Sequence, residues 1–119
     1  MSYVDGLLVA VPNANKELYT TMAEEMAQCF KKHGAIRVVE CWGDDVPEGK
    51  VTSFPMAVKC EKTETVVFSW IEWPSKAVRD DGMKKVMDEM TANPKMAPEN
   101  MPFDGVRMIF GGFRPIVYV

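Results

Sequence analysis

The sequence holds a single histidine, His33, and that scarcity removes several kinds of chemistry at once. A serine or cysteine triad needs a histidine beside its nucleophile, and a multi-histidine metal centre needs at least two in one chain. His33 closes an apolar helical pattern, where its charged form meets the negative end of the helix dipole; that structural role stands ahead of haem ligation or base catalysis. The three cysteines, Cys29, Cys41 and Cys60, have neither an even count nor a CxxC spacing, so they read as reduced, mostly buried thiols, not as a disulfide framework or a zinc site. No apolar stretch approaches the roughly 18 residues of a membrane span, and no secretory leader opens the chain, so a cytoplasmic address is expected. A basic stripe is missing too. Net charge is −3 and the 14 basic residues are scattered apart from Lys31-Lys32 and Lys84-Lys85, which disfavours nucleic acid as a partner.

What is present suits one packed domain, residues 1–119: the chain is 47% hydrophobic and 26% charged. Tyr3 to Val11, closed by Pro12-Asn13, reads as a strand buried on both faces. From Lys16 the apolar residues Leu18, Met22, Met26, Cys29, Phe30 and His33 recur at spacings of three and four, which predicts an amphipathic helix, capped by Asn13 or Asn15 and ended by Gly34. Ile36 to Trp42 predicts a second strand before an exposed loop, 43–54. Met56 to Cys60 and Thr65 to Trp73 flank Glu61-Lys62-Thr63-Glu64 as the arms of a hairpin. Ser75 caps a helix burying Val78, Met83, Val86, Met87 and Met90, slightly weakened by Gly82. The proline-containing stretch 93–102 leads as a loop to a last strand, Val106 to Phe110, which Gly111-Gly112 ends or bends before an apolar tail, Phe113 to Val119. This order predicts an α+β, ferredoxin-like βαββαβ sandwich with an extra hairpin arm, its two helices on one face of an antiparallel sheet.

A sheet covered on one face should alternate apolar with polar residues. Val66, Phe68 and Trp70 instead alternate with Val67, Ser69, Ile71 and Trp73, so both faces are apolar and something must cover the helix-free one. A second copy of the chain is the economical cover; the tail Phe113 to Val119, folded back, is the competing one.

The segments Tyr3-Val4-Asp5-Gly6, His33-Gly34-Ala35 and Glu40-Cys41-Trp42-Gly43-Asp44-Asp45-Val46-Pro47 resemble the bacterial YbaA-like family of uncharacterised proteins. So do Val67-Phe68-Ser69-Trp70-Ile71, Trp73-Pro74-Ser75-Lys76-Ala77 and Met101-Pro102-Phe103-Asp104-Gly105, and the likeness spans nearly the whole chain. That family is similar to the dimeric α+β barrel superfamily, in which two ferredoxin-like sheets pack face to face, so the resemblance implies a homodimer. The wider superfamily includes cofactor-free monooxygenases, haem-degrading enzymes, isomerases and small-molecule sensor domains; none of their motifs is found here, and no catalytic residue is carried over.

The residues call for no cofactor and no metal. Gly43 to Lys50 superficially suggests a phosphate loop, but five residues separate its glycines and Val51 follows the lysine, where that motif has four and then Ser or Thr. Asp44, Asp45 and Glu48 lack the spacing of a calcium loop. Asp5, Glu40, Glu72 and Asp104 lie in or beside apolar strands, where a buried carboxylate gains a raised pKa and base character, or else pairs with Arg37, Lys59, Arg79, Arg107 or Arg114. Trp42, Trp70 and Trp73 suit the walls of a site for a flat apolar or aromatic ligand, and the methionines an adaptable lining or simple core. The sequence therefore suggests a small-molecule-binding barrel, a cofactor-independent oxygenase or isomerase, with Glu40 or Asp104 moving a proton and Arg107 stabilising negative charge. The alternative is a non-catalytic regulatory or interaction protein whose apolar sheet face serves only homodimerisation.

Overall fold

In the computed structural model, which describes residues 2–119, the valine-rich start of the chain becomes an inner strand, β1, Tyr3–Pro12. The other strands are β2, Arg37–Trp42; β3, Glu64–Trp73; and β4, Ile109–Phe113. β1 and β3 lie antiparallel from Tyr3 opposite Trp73 to Pro12 opposite Glu64, with β2 outside β3 and β4 outside β1. Two long helices, α1 (Lys16–Lys32) and α3 (Lys76–Ala92), connect β1 to β2 and β3 to β4, while the β2–β3 connection carries one short turn, α2 (Phe54–Ala57). This is the ferredoxin-like βαββαβ arrangement. No helix among the described residues is long and apolar enough to cross a membrane.

Strand alternation decides what each face receives. Val9, Val11, Val67, Ile71 and Trp73 project under the helices, where they pack with Tyr19, Ala23, Phe30 and Val86. Ala10 and Val66 project to the other face and pack with Val58 from the β2–β3 connection. Asp5 is buried on the helix side, and its carboxylate accepts from Trp73 Nε1 (2.9 Å), Arg79 Nε (3.1 Å) and Arg79 Nη2 (2.7 Å). That cluster ties β1, β3 and α3 together through one buried anion.

Several sequence expectations shift on the structure. The inward stripe of α1 keeps Phe30 buried and packs Met22, Met26 and Cys29 on the core, but its first turns bury Tyr19 and Ala23 while Leu18 is 65% exposed. Met87 is likewise 44% exposed, although it borders the space between α3 and the sheet. Asn13 to Asn15 form a 3-10 turn, and Asn15 makes no cap; its side-chain amide donates to Pro102 O while Asn13 Oδ1 accepts from Thr65. Ser75 does cap α3, accepting from Val78 N–H.

The extra hairpin arm at Met56 to Cys60 is absent. Ser53 caps Met56 N–H, Pro55 sets the first helical turn, and Lys59 at φ 50° turns the chain back, so local capping chemistry outweighs the apolar run. The last strand starts at Ile109, not Val106: Asp104 accepts from Val106 N–H and closes a 3-10 turn, leaving Val106 92% exposed. Gly111-Gly112 lie inside that strand, not at its end.

Gly82 has a packing reason invisible in the sequence. A Cβ there would stand 2.4 Å from the carbonyl oxygen of His33 and 2.6 Å from Trp73 Cζ3. Helix propensity alone predicts that Gly82→Ala stabilises by about 1 kcal/mol. Steric crowding reverses the sign, and we expect Gly82→Ala to destabilise by about 1–3 kcal/mol in urea denaturation.

Candidate functional site

The helices leave a space above the sheet. α1 and α3 approach one another near Cys29, His33 and Glu89, but toward the start of α1 the segment 94–108 fills the gap, with Phe103 edge-on to Tyr19 at a centroid distance of 5.8 Å. Beneath it is a cavity of about 290 Å³ floored by Leu7, Val9, Ser69 and Ile71 and walled largely by methionines: Met22 and Met26 from α1, Met87 and Met90 from α3, Met96, Met101 and Met108 from the loop. Unbranched, polarizable side chains give walls that can reshape around a ligand.

Two polar side chains interrupt this lining. Tyr19 Oη donates to Glu40 Oε1 at 2.6 Å, and the hydroxyl of Ser69, on the adjacent strand, faces the same carboxylate. Glu40 projects from β2 on the side shared by Val38 and Trp42, because each is two residues from the next. The pair stands where the cavity meets an outer groove of about 300 Å³ bordered by Lys16, Thr20, Glu24 and Trp42. Glu40 is an exposed residue at this edge, its carboxylate held by Tyr19 beside the apolar lining. Desolvation raises its pKa above the usual carboxylate range, partly offset by the Tyr19 and Ser69 hydrogen bonds. Burial and the neighbouring Glu40 charge push the Tyr19 phenol far upward, so it stays a donor. The arrangement is a carboxylate of enhanced basicity beside a neutral hydrogen-bond donor.

The sequence-selected residues separate in space. Glu40 and Trp42 share the groove, where Lys16 Nζ sits 5.0 Å from the Trp42 ring centroid. Trp73 is fully buried and engaged with Asp5, whereas Trp70 projects to the opposite sheet face beside Phe68. Arg107 binds both oxygens of Glu64 at 2.8 Å, Asp104 at 3.0 Å and the Lys59 carbonyl, so Asp104 and Arg107 fasten the loop that roofs the cavity. Glu72 lies on the open face with Arg37 at 3.9 Å and accepts from Tyr118. Sequence reading missed Tyr19 and Ser69; Tyr19, Ala23, Met26 and Phe30 make as regular a helical stripe as the one through Leu18, and that was the available signal.

Folding takes up a proton at Glu40, since its folded pKa lies above the unfolded one. Its contribution thus favours the native state at low pH and fades as pH rises from the ordinary carboxylate value through the raised one. Side-chain NMR titration should place Glu40 above ordinary glutamates, and Tyr19→Phe should raise it further by removing a donor to the charged form. A normal value in the wild type would contradict this electrostatic picture.

Comparison with known proteins agrees with this architecture. A family model described as "Protein of unknown function (DUF1428)" matches residues 2–105. "Uncharacterized protein YbaA" of Escherichia coli (strain K12) is 56% identical over 119 residues, covering 98% of each chain, and the protein of that name from Shigella flexneri matches equally. Among solved structures, a dimeric ferredoxin-like protein from an uncultured marine organism superposes with TM-score 0.65 at 12% identity, covering 99% of this chain and 98% of that one. SnoaB, a cofactor-independent oxygenase from Streptomyces nogalater, superposes with TM-score 0.59 at 12% identity, covering 99% and 96%. Those likenesses establish a shared fold, and with the YbaA identity and the family match, the chain belongs to the DUF1428 family of ferredoxin-like α+β proteins.

Proposed function

We propose that this chain is a small-molecule enzyme of the proton-transfer type, working as a face-to-face homodimer with one cavity per subunit. The observation that carries the reading is Glu40, a raised-pKa carboxylate hydrogen-bonded only by neutral donors at the edge of an apolar, methionine-lined cavity. A ligand fitting that space is small, mostly apolar, and carries a carbonyl with an acidic neighbouring C–H. Glu40 removes that proton, the C–H electron pair moves onto the carbonyl oxygen, and the Tyr19 hydroxyl turns from Glu40 to donate to the resulting enolate. Returning the proton to another carbon completes an isomerisation; reaction of the enolate with dioxygen, as co-substrate and oxidant, opens a cofactor-independent oxygenation. The oxygenase among the structural neighbours has this fold, which supports the second route by analogy.

Dimerisation is supported by the uncovered sheet face. Phe68 is 43% and Phe113 61% exposed there, beside Leu8, Ile109 and the paired glycines Gly6 and Gly111. The short α2 segment covers one end through Phe54 on Phe68, and Tyr118 of the tail reaches Glu72 at the other, while Ile116, Val117 and Val119 stand exposed. A second copy covers the rest, consistent with the dimeric ferredoxin-like neighbour.

Hydrogen–deuterium exchange into cyclic 1,3-dicarbonyl and phenolic ketone probes in D₂O tests the chemistry. Wild-type protein should accelerate exchange for at least one probe, and Glu40→Gln should lower that rate by roughly 100-fold or more while retaining binding. Equal rates in the two proteins would defeat the assignment. Light scattering should give a dimer, and Trp70→Asp a folded monomer; a monomeric wild type would refute the face-to-face assembly.

A further inference from the structure

At the joint between α1 and α3, away from the cavity's polar pair, three ligating side chains converge. Cys29 and His33 are four residues apart, so they project from one side of the helix end. Glu89 faces them from α3: Cys29 Sγ donates to Glu89 Oε2 at 3.0 Å and His33 Nε2 lies 2.9 Å from Glu89 Oε1. The sulfur, the imidazole nitrogen and a carboxylate oxygen all fall within 4.8 Å of one another. We propose that Cys29, His33 and Glu89 form a binding site for a zinc-type divalent cation that ties α1 to α3, with water as the fourth ligand.

The donor set selects the ion. One thiolate, one imidazole and one carboxylate suit borderline Zn²⁺, which accepts three protein ligands and one open position, whereas Ca²⁺ and Mg²⁺ favour oxygen alone. Zinc bonds to such atoms run about 2.0–2.3 Å, so small side-chain rotations bring the three to one ion. Binding displaces two protons: the thiol proton between Cys29 and Glu89 leaves to solvent, and the proton that His33 Nε2 directs at Glu89 moves to Nδ1 of the neutral ring or leaves to solvent, freeing Nε2 for the ion.

The frame around these ligands is fixed. His33 N–H bonds back to Cys29 O at 3.2 Å and Phe30 O at 3.1 Å, and its own carbonyl presses against Gly82 of α3. The His33 side chain is 15% exposed and Glu89 42%, so the ligands are ordered on one side and reachable from water on the other. Lys32 Nζ, 2.7 Å from Glu89 Oε1, is the competing cation that an entering ion displaces. Phe30 and Met90, next in sequence to Cys29 and Glu89, line the cavity. A bound ion therefore sets the spacing of the cavity's two helical walls.

The test uses the whole chain, stripped with a chelator and free of a histidine tag, titrated with zinc sulfate against a chromophoric indicator and with cobalt(II) by absorption. One zinc per chain and a thiolate-to-cobalt charge-transfer band are expected. Since loss of a group that only orients a metal ligand costs about 10–100-fold, Cys29→Ser and Glu89→Gln should each weaken zinc binding by roughly 100-fold or more. Cys29→Ser should also abolish the band, and Cys41→Ser should change neither. Lys32→Ala should tighten binding by roughly two- to fivefold, the size of one exposed ion pair. Zinc binding absent at micromolar concentration, unaffected by Glu89→Gln and Cys29→Ser, or lost in Cys41→Ser, overturns the proposal. Glu89→Gln alters only a solvent-accessible side chain, so it reports even if Cys29→Ser folds poorly.

Discussion

β1 and β3 pair along their full lengths, and both carry apolar residues at consecutive positions, so each face of their ladder has to be shielded from water. Two long helices serve only one side. On that side they do not close completely, because α1 leans on the sheet through Tyr19, Ala23 and Phe30 while α3 is drawn toward Trp73 and the end of α1 at Gly82. The remaining space is roofed by a loop fastened through Arg107 and Asp104, and its lining is methionine, not branched residues that would pack rigidly. The cavity and the open face are two outcomes of one mismatch between apolar sheet area and helical cover.

Carboxylates set in this apolar framework meet different fates. Asp5 faces a guanidinium and an indole N–H, so it is paired within the fold and its role is architectural. Glu64 is held by Arg107, which keeps it below the usual carboxylate range. Glu40 has only a phenol and a hydroxyl, neither of which brings a positive charge. Neutral donors can change partners when a ligand arrives; a guanidinium paired with a buried carboxylate does so only by separating two charges. Among the described residues no buried side-chain nitrogen or oxygen lacks a partner, so this difference lies in the kind of partner, not in its presence.

The strand and helix order was legible because long elements advertise their period: β1 by its valines, α1 by its three-and-four spacing, α3 by Ser75 and the run that follows. Short elements were less so. Met56 to Cys60 is apolar enough for a strand, yet Ser53 and Pro55 make it a helical turn, and Asp104 moves the start of β4 by three residues. Glu40 could be singled out as a carboxylate among apolar neighbours, but its donors come from α1 and β3, and nothing in the linear sequence joins residues 19, 40 and 69. Cys29 and His33 were visible as neighbours on a helix; Glu89, 56 residues beyond His33, was not. The three tryptophans went to different environments: strand parity puts Trp70 on the open face and Trp42 and Trp73 under the helices, where position in the sheet leaves Trp42 at the groove and Trp73 buried.

The outer strands limit how copies of this chain can meet. β2 spans Arg37–Trp42 and carries Arg37 and Glu40, so a neighbour's backbone approaching that edge encounters charge. β4 spans Ile109–Phe113, includes two glycines, and is followed at once by Arg114 and by Pro115, which has no N–H to offer a ladder. Both borders disfavour the addition of another strand, and with it growth into a continuous cross-chain sheet. A copy covering the broad apolar face would meet it through side chains, an arrangement that closes on itself once the two faces match.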